Sequence, residues 1–340
     1  MLNEQAVKAG AASIKENGYY ARKALAAGGF REAMRYCESM LEALRSDQCS
    51  PREYYQLFTL AFDELSVVRA SLVDEARARQ KGGLYDQVQY CGKLIPRLYL
   101  LALAGSCLVE AGLRPCLDTA WDVLALLKGS QHPLRGLFAR YFFLKVFKER
   151  LEEEGLPPAE LAELLLANLR EMNNLWIRLN VLIADKEVRR TQRAELAVTV
   201  GENVHRLAAL EGLEIDLYAR KVLPQLLEAL LEGNDRTSQE YLFDCVISAF
   251  PDDFHARTLP QLLSASERLH RRADINALYT KLMERFAAYA RENPHAPKDE
   301  FQGLHARFEQ TIAALARREK YPLPVLLRLL LHFTDFTVHF

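Results

Sequence analysis

Two glutamate–histidine pairs, Glu202/His205 and Glu267/His270, are the residues of this sequence whose types and spacing most directly invite chemistry. On a helix, side chains at i and i+3 share a face. Carboxylate-bridged di-iron sites use such pairs together with glutamates from two further helices. The chain is rich in glutamate and carries 8 histidines, so pairs at this spacing arise by chance. They read as surface or partly buried histidines, and no metal or other cofactor is expected. Asp252-Asp253 follows Pro251 in a turn and has no third carboxylate at helical spacing after it. Helix capping suits that pair better than metal binding, since aspartate is a preferred cap. Phosphate-binding glycine loops, a dinucleotide fingerprint and a nucleophile elbow are all missing, so the chain does not read as an enzyme. Its six cysteines, Cys37, Cys49, Cys91, Cys107, Cys116 and Cys245, form no C-x-x-C pair and no Cys/His cluster. They read as reduced, buried thiols of a cytosolic protein.

Two segments carry more information. Leu94 to Gly105, LIPRLYLLALAG, is apolar on every side except at Arg97. A helix apolar all round is buried on more than one face, and a charge in such a run needs a partner. Arg97 is then an internal ion-pair member, a cation snorkelling to the surface, or a recognition arginine facing another subunit, where Arg and Tyr are favoured anchors. Spacing alone favours the first two over the third. The second segment, Gln131 to Arg140, reads QHPLRGLFAR. Pro133 fits a helix start. Arg135 and Arg140 sit among apolar neighbours, and the plain reading is a core helix with two arginines that reach solvent. Gly136 inside that helix points to a closely packed neighbour.

The elements that must position these residues are helices throughout. Apolar residues recur at helical spacing almost everywhere and strand-like alternation is scarce. The pattern predicts helices at about 3–26, 29–47, 51–80, 83–92, 96–111, 115–128, 132–154 and 157–184, then 187–211, 214–232, 236–249, 256–271, 273–292, 297–318 and 323–337. Breaker residues punctuate them: Gly28-Gly29, Ser50-Pro51 as N-cap and first helical residue, Gly82-Gly83, Gly155 with Pro157-Pro158, and Gly233-Asn234-Asp235. Asn293-Pro294 and Ala296-Pro297 mark a minor hinge at 293–297. So many helices on short loops cannot share one closed bundle core, whereas antiparallel pairs stacked in series can. The expected fold is all-α, an elongated α-solenoid of HEAT-like antiparallel helix pairs, one domain over 1–340. The very apolar last helix suggests a longer chain or a covering partner.

The formal charge is −1. That balance argues against nucleic acid as a partner and against strong direct attraction to anionic lipid. The richest apolar run, Leu98 to Ala104, falls far short of the roughly 18 residues of a membrane span. Any membrane contact is expected to be indirect.

PRLYL at Pro96 to Leu100 and QHPLRGLF at Gln131 to Phe138 together resemble the vacuolar protein sorting 35 family, the large subunit of retromer. SPREYYQLFTLAFDEL at Ser50 to Leu65, EMNNLWIRL at Glu171 to Leu179, VGENVHRLAALEGL at Val200 to Leu213 and QEYLFDCVISAFPDDFHARTL at Gln239 to Leu259 extend the likeness. It is strong over about residues 1–290 and weaker beyond. The resemblance implies the N-terminal portion of a longer α-solenoid, a scaffold of the endosomal sorting coat that works in retrograde protein transport. It implies docking of the arrestin-like subunit, vacuolar protein sorting 26, through Pro96, Arg97, Leu98, Tyr99 and Leu100, with Arg97 leading. His132, Pro133, Arg135 and Arg140 are a further interface or structural motif. A sorting nexin, a Rab GTPase and cargo tails are the other partners implied. The phosphoesterase-fold subunit, vacuolar protein sorting 29, is expected only through a C-terminal half that this sequence lacks. The implied location is cytoplasmic, with peripheral recruitment to endosomes. A generic helical-repeat adaptor is the alternative.

Overall fold

A computed structural model describes residues 2–46, 49–79, 83–292, 298–317 and 321–339. Among them every regular element is helical. The helices are α1 (Leu2–Ala26), α2 (Phe30–Leu41), α3 (Pro51–Arg79), α4 (Gly83–Gln89), α5 (Leu94–Glu110), α6 (Cys116–Leu127), α7 (Pro133–Glu153) and α8 (Pro158–Leu182). They continue with α9 (Lys186–Ala208), α10 (Ile215–Leu217), α11 (Leu223–Leu231), α12 (Arg236–Ala249), α13 (Asp252–Arg268), α14 (Ile275–Glu292), α15 (Lys298–Arg317) and α16 (Leu323–His339). A 3-10 turn, Glu42–Arg45, extends α2. The expected hinge at 293–297 lies outside the described residues.

Local chemistry explains the boundaries. Ser50 and Glu53 form a capping box before α3. The Glu53 amide donates to Ser50 Oγ at 3.3 Å, and the Ser50 amide donates to Glu53 Oε2 at 2.8 Å. Both orphan donors are satisfied while Pro51, which has no N–H, takes the first helical position. Gly28 and Gly155 turn the chain at φ +73° and +60°, the left-handed region that disfavours side chains bearing a Cβ. Asp235 caps α12 by accepting the Ser238 amide at 2.8 Å.

Two boundaries differ from the sequence reading. The helix expected over 214–232 contains a π turn at Tyr218–Val222, which ends two residues before Pro224. Proline cannot donate, and its ring crowds the carbonyl four residues back, so a widened turn relieves the clash. The Ala219 carbonyl in that turn accepts from Gln261 Nε2 at 3.2 Å. Helix α13 starts at Asp252, earlier than expected, and its N-cap is Pro251. Asp252 and Asp253 are therefore first-turn residues and not caps. Asp252 Oδ1 accepts from Arg285 Nε at 2.6 Å, so its carboxylate ties α13 to α14 as well as favouring the positive end of the helix.

The chain divides into two compact units, one of Met1–Pro157 with Arg178–Val200, the other of Pro158–Ile177 with Gly201–Phe340. In the first, each helix from α1 to α7 packs on its successor, and α1 with α3, α3 with α5 and α5 with α7 pack as next-but-one neighbours. In the second, α11 to α16 repeat the next-but-one pattern through α11/α13, α12/α14, α13/α15 and α14/α16. This is the packing of stacked helical hairpins, in which each element buries its apolar face on near neighbours along the chain. Buried amides set the register inside the second unit: Asn168 Nδ2 donates to Asn203 Oδ1 at 2.9 Å, and Asn173 Nδ2 to the Ala229 carbonyl at 3.1 Å. Such groups are held because an unpaired buried amide is costly.

Candidate functional site

Helix α5 carries the PRLYL segment and lies at the centre of the first unit. It packs against α2, the 3-10 turn, α3, α4, α6 and α7, which explains why its sequence is apolar on every side. Leu98, Tyr99 and Leu100 are 3 %, 1 % and 1 % exposed, and Pro96 is buried as well. Gly105 permits the close approach on the other flank, where an added Cβ would lie 3.1 Å from Thr119 Cγ2 and 3.3 Å from Val123 Cγ2. The C-terminal end is fastened by Glu110, whose Oε2 accepts from Arg69 Nη2 of α3 at 2.7 Å.

The motifs that lie far apart in the chain share one aromatic core. Tyr54 and Phe58 from α3, Tyr99 from α5, and Phe138 and Phe142 from α7 are all nearly inaccessible. Tyr54 stands 4.8 Å from Phe138, Phe58 5.2 Å from Phe138, and Tyr99 4.9 Å from Phe142, ring centre to ring centre. Tilted contacts at these distances are the favourable arrangement for aromatic quadrupoles. Tyr54 Oη also donates to the Leu44 carbonyl at 2.8 Å, which pins the 3-10 turn to this core. Burial pushes the Tyr99 phenol well up, with the neighbouring Tyr54 phenol adding to the shift.

Arg97 is set apart from this core. It is half-buried in the first turn of α5, and it has no ion pair or hydrogen bond from its side chain to any described residue. Among the described residues the internal ion pair is not formed, which leaves an arginine that reaches the surface. Leu94, one turn earlier, is 40 % exposed, so this end of α5 offers an accessible edge while Leu98, Tyr99 and Leu100 hold the helix from beneath.

The second motif is corrected in one respect. His132 is the N-cap of α7, with Pro133 at its first position, as the sequence indicated. Arg135 is half-buried, whereas Arg140 is 1 % exposed and does not reach solvent. The reason is that α7 is enclosed by α3, α5 and α6, and position 140 faces that enclosure. Sequence reasoning missed Arg45, Lys93 and Ser130, which line an open cavity with His132 and Arg135. They come from separate segments, so no spacing could have linked them; proximity of Lys93 to PRLYL was the only signal.

The glutamate–histidine pairs are not brought into one site. Glu202 Oε1 accepts from Arg206 Nε at 3.1 Å, and His205 is exposed. His270 Nδ1 accepts the Arg272 amide at 3.1 Å within a turn. Among the described residues, no three His, Cys, Asp or Glu side chains are grouped as metal ligands. None of the described helices is long and apolar enough to cross a membrane.

Serial helix pairs, with the PRLYL segment on a helix enclosed by its neighbours, define an all-helical repeat protein of the α-solenoid class. The chain belongs to the family Vacuolar protein sorting-associated protein 35, whose pattern it matches over residues 6–340. It is similar to Vacuolar protein sorting-associated protein 35A of Arabidopsis thaliana, with 37 % identity over 85 % of this chain and 38 % of the relative. It is similar to protein 35C of the same plant, at 33 % identity over 99 % of this chain and 44 % of the relative. Vacuolar protein sorting-associated protein 35 of Dictyostelium discoideum is 30 % identical over 96 % of this chain and 43 % of its own length. The chain thus spans about two fifths of the curated relatives it matches. Among solved structures, a circular tandem repeat protein aligns with 99 % of this chain and 89 % of its own at 16 % identity and a TM-score of 0.26, too low to carry an argument about the fold.

Proposed function

We propose that this chain is a non-enzymatic scaffold of the retromer endosomal sorting coat and that it docks an arrestin-like subunit through the start of α5. Family membership supports the coat role. The observation that carries the docking role is Arg97: a half-buried guanidinium in the first turn of a closely packed helix, without a counter-charge among the described residues. Such an arginine is ready to meet an acceptor on another protein, and arginines in this setting are frequent interface hot spots. Leu98, Tyr99 and Leu100 are buried, so their contribution is to hold Arg97 in place and not to touch the partner. Cargo tails, a sorting nexin and a Rab GTPase complete the proposed assembly, which reaches the cytoplasmic face of endosomes through those partners.

The test is calorimetric titration of the chain with a purified arrestin-like subunit. Arg97→Ala should weaken binding by about thirtyfold, a hot-spot loss of roughly 2 kcal/mol. Unchanged affinity in that variant would remove the role assigned to Arg97. Absence of binding by the unaltered chain would remove the docking role altogether.

A further inference from the structure

Beside the exposed end of α5 lies an open cavity of about 440 Å³. Three basic side chains line it from three separate segments: Arg45 at the end of the 3-10 turn, Lys93 before α5, and Arg135 on α7. Arg178 stands at its edge, where its guanidinium donates to Gln131 Oε1. Two long helices also begin here. Lys93 is the N-cap of α5 and His132 that of α7, and neither helix has a side-chain cap. Leu94 and Ile95, the first residues of α5, line the cavity. Helix N-termini left uncapped in this way favour an anion, because their amides and dipole both present positive charge.

A second observation, independent of helix ends, also points to a missing acceptor. Ser130 lines the same cavity, is only 4 % exposed, and its Oγ has no hydrogen-bond partner among the described residues. A buried hydroxyl left in that state is costly; an oxygen acceptor placed in the cavity would satisfy it.

The charge balance selects the anion. Lys93 is paired with Glu42, and Glu38 accepts the Gly92 amide at 3.1 Å. Arg45 is exposed and has no ion pair among the described residues. The excess positive charge is therefore small and suits a singly charged carboxylate better than a doubly charged phosphate. The side chains of Leu94 and Ile95 add an apolar wall against which the methylene stem of an acidic residue can lie.

We infer that this cavity is a carboxylate-binding pocket that receives an aspartate or glutamate side chain of the partner docking on α5. This rests on the docking role proposed for Arg97, which lies one turn beyond Lys93 on the same element. The pocket would fix the register of the partner along α5, since its donors come from three segments with a single shared orientation.

The experiment is titration of the full chain with the arrestin-like subunit at low and high salt, using Arg45→Glu, Ser130→Asp and Arg97→Ala. Far-UV spectra and melting temperatures establish that each variant is folded; Arg45 is a surface residue, so its reversal keeps the test valid even if Ser130→Asp does not fold. The expected result is a loss of about tenfold or more in affinity for Arg45→Glu, with a flatter salt dependence, because a charge pair across the interface is replaced by a repulsion. Ser130→Asp should weaken binding similarly by placing a carboxylate where the partner's would sit. Full affinity in Arg45→Glu with weakened Arg97→Ala would overturn the pocket and leave the docking role standing. Failure of the unaltered chain to bind would overturn both. Unchanged partner affinity in Arg45→Glu, with loss of binding to phosphatidylcholine vesicles containing a phosphatidylinositol phosphate, would reassign the cavity to a lipid headgroup.

Discussion

Tyr99 of α5 and Phe142 of α7 meet with ring centres 4.9 Å apart and planes inclined by 50°. Through this contact the helix that carries Arg97 is locked to the helix that begins at Pro133, and both are locked to Phe58 of α3. Truncation of either ring to alanine should cost about 3–5 kcal/mol, as expected when a large aromatic is removed from a close-packed interior. Denaturant unfolding of Tyr99→Ala, Phe142→Ala and the double variant should give a coupling of roughly 0.5–1.5 kcal/mol, the size measured for aromatic pairs. Strictly additive losses would mean that the two helices are held independently.

Arg97 should behave in the opposite way. With no ion pair to any described residue, its removal leaves no buried carboxylate stranded, and alanine is a good helix former. The melting temperature of Arg97→Ala should therefore stay close to that of the unaltered chain. An arginine held in an internal ion pair would instead cost about 3–5 kcal/mol on removal. Arg97→Lys separates a planar, two-pronged contact from simple charge, because lysine cannot reproduce the fork; partial loss of partner affinity is expected.

His255 supplies a pH dependence. Its ring is 1 % exposed and Nε2 lies 3.0 Å from the Ile247 carbonyl. Burial, reinforced by the nearby Arg285 guanidinium, pulls its pKa down from 6.5 to about 4. The folded chain thus keeps the ring neutral where the unfolded chain protonates it. The associated stability is complete above pH 6.5, falls as the pH drops from 6.5 towards 4, and is lost below that; linkage puts the total on the order of 3 kcal/mol. Chemical denaturation across this range should show the decline, and His255→Gln should flatten it. An equally steep decline in that variant would assign the effect to other groups.

The cysteines should be unreactive in the folded chain. All six are free and buried, and burial pushes the thiols of Cys37, Cys91, Cys107 and Cys116 up to about 12. Thiolate is the reactive form, so little is present near neutral pH. A disulfide reagent such as Ellman's should titrate few thiols in buffer and all six in denaturant. Rapid reaction of one thiol in buffer would reveal local opening at that site.

Much of the architecture was present in the sequence because helix formation depends on local periods and local breakers. The apolar spacing, Ser50-Pro51 before α3, and the glycine turns at 28 and 155 act within a few residues of one another. The family likeness was legible for a related reason: its motifs are contiguous. Where the local rule met a distant neighbour, it gave less. The π turn at Tyr218–Val222 shifts one helix, and Asp252 enters the first turn of α13, bonded to Arg285, a residue 33 positions away.

The sequence by itself determined that the chain is helical and which segments carry the family's motifs. Only the tertiary structure decided which residues that motif exposes. An all-apolar helix with one arginine is compatible with an internal ion pair or an outward charge, and spacing along α5 can lean towards one without deciding between them. The choice rests on which groups α2, α3, α4, α6 and α7 present to α5: they supply aromatic and aliphatic side chains around Leu98, Tyr99 and Leu100, and among the described residues no acceptor to Arg97. Arg140 shows the converse, enclosed at 1 % exposure where its sequence suggested a surface residue. Burial of a long cation depends on what surrounds it in space, and those surroundings are assembled from segments that lie many residues apart in the chain.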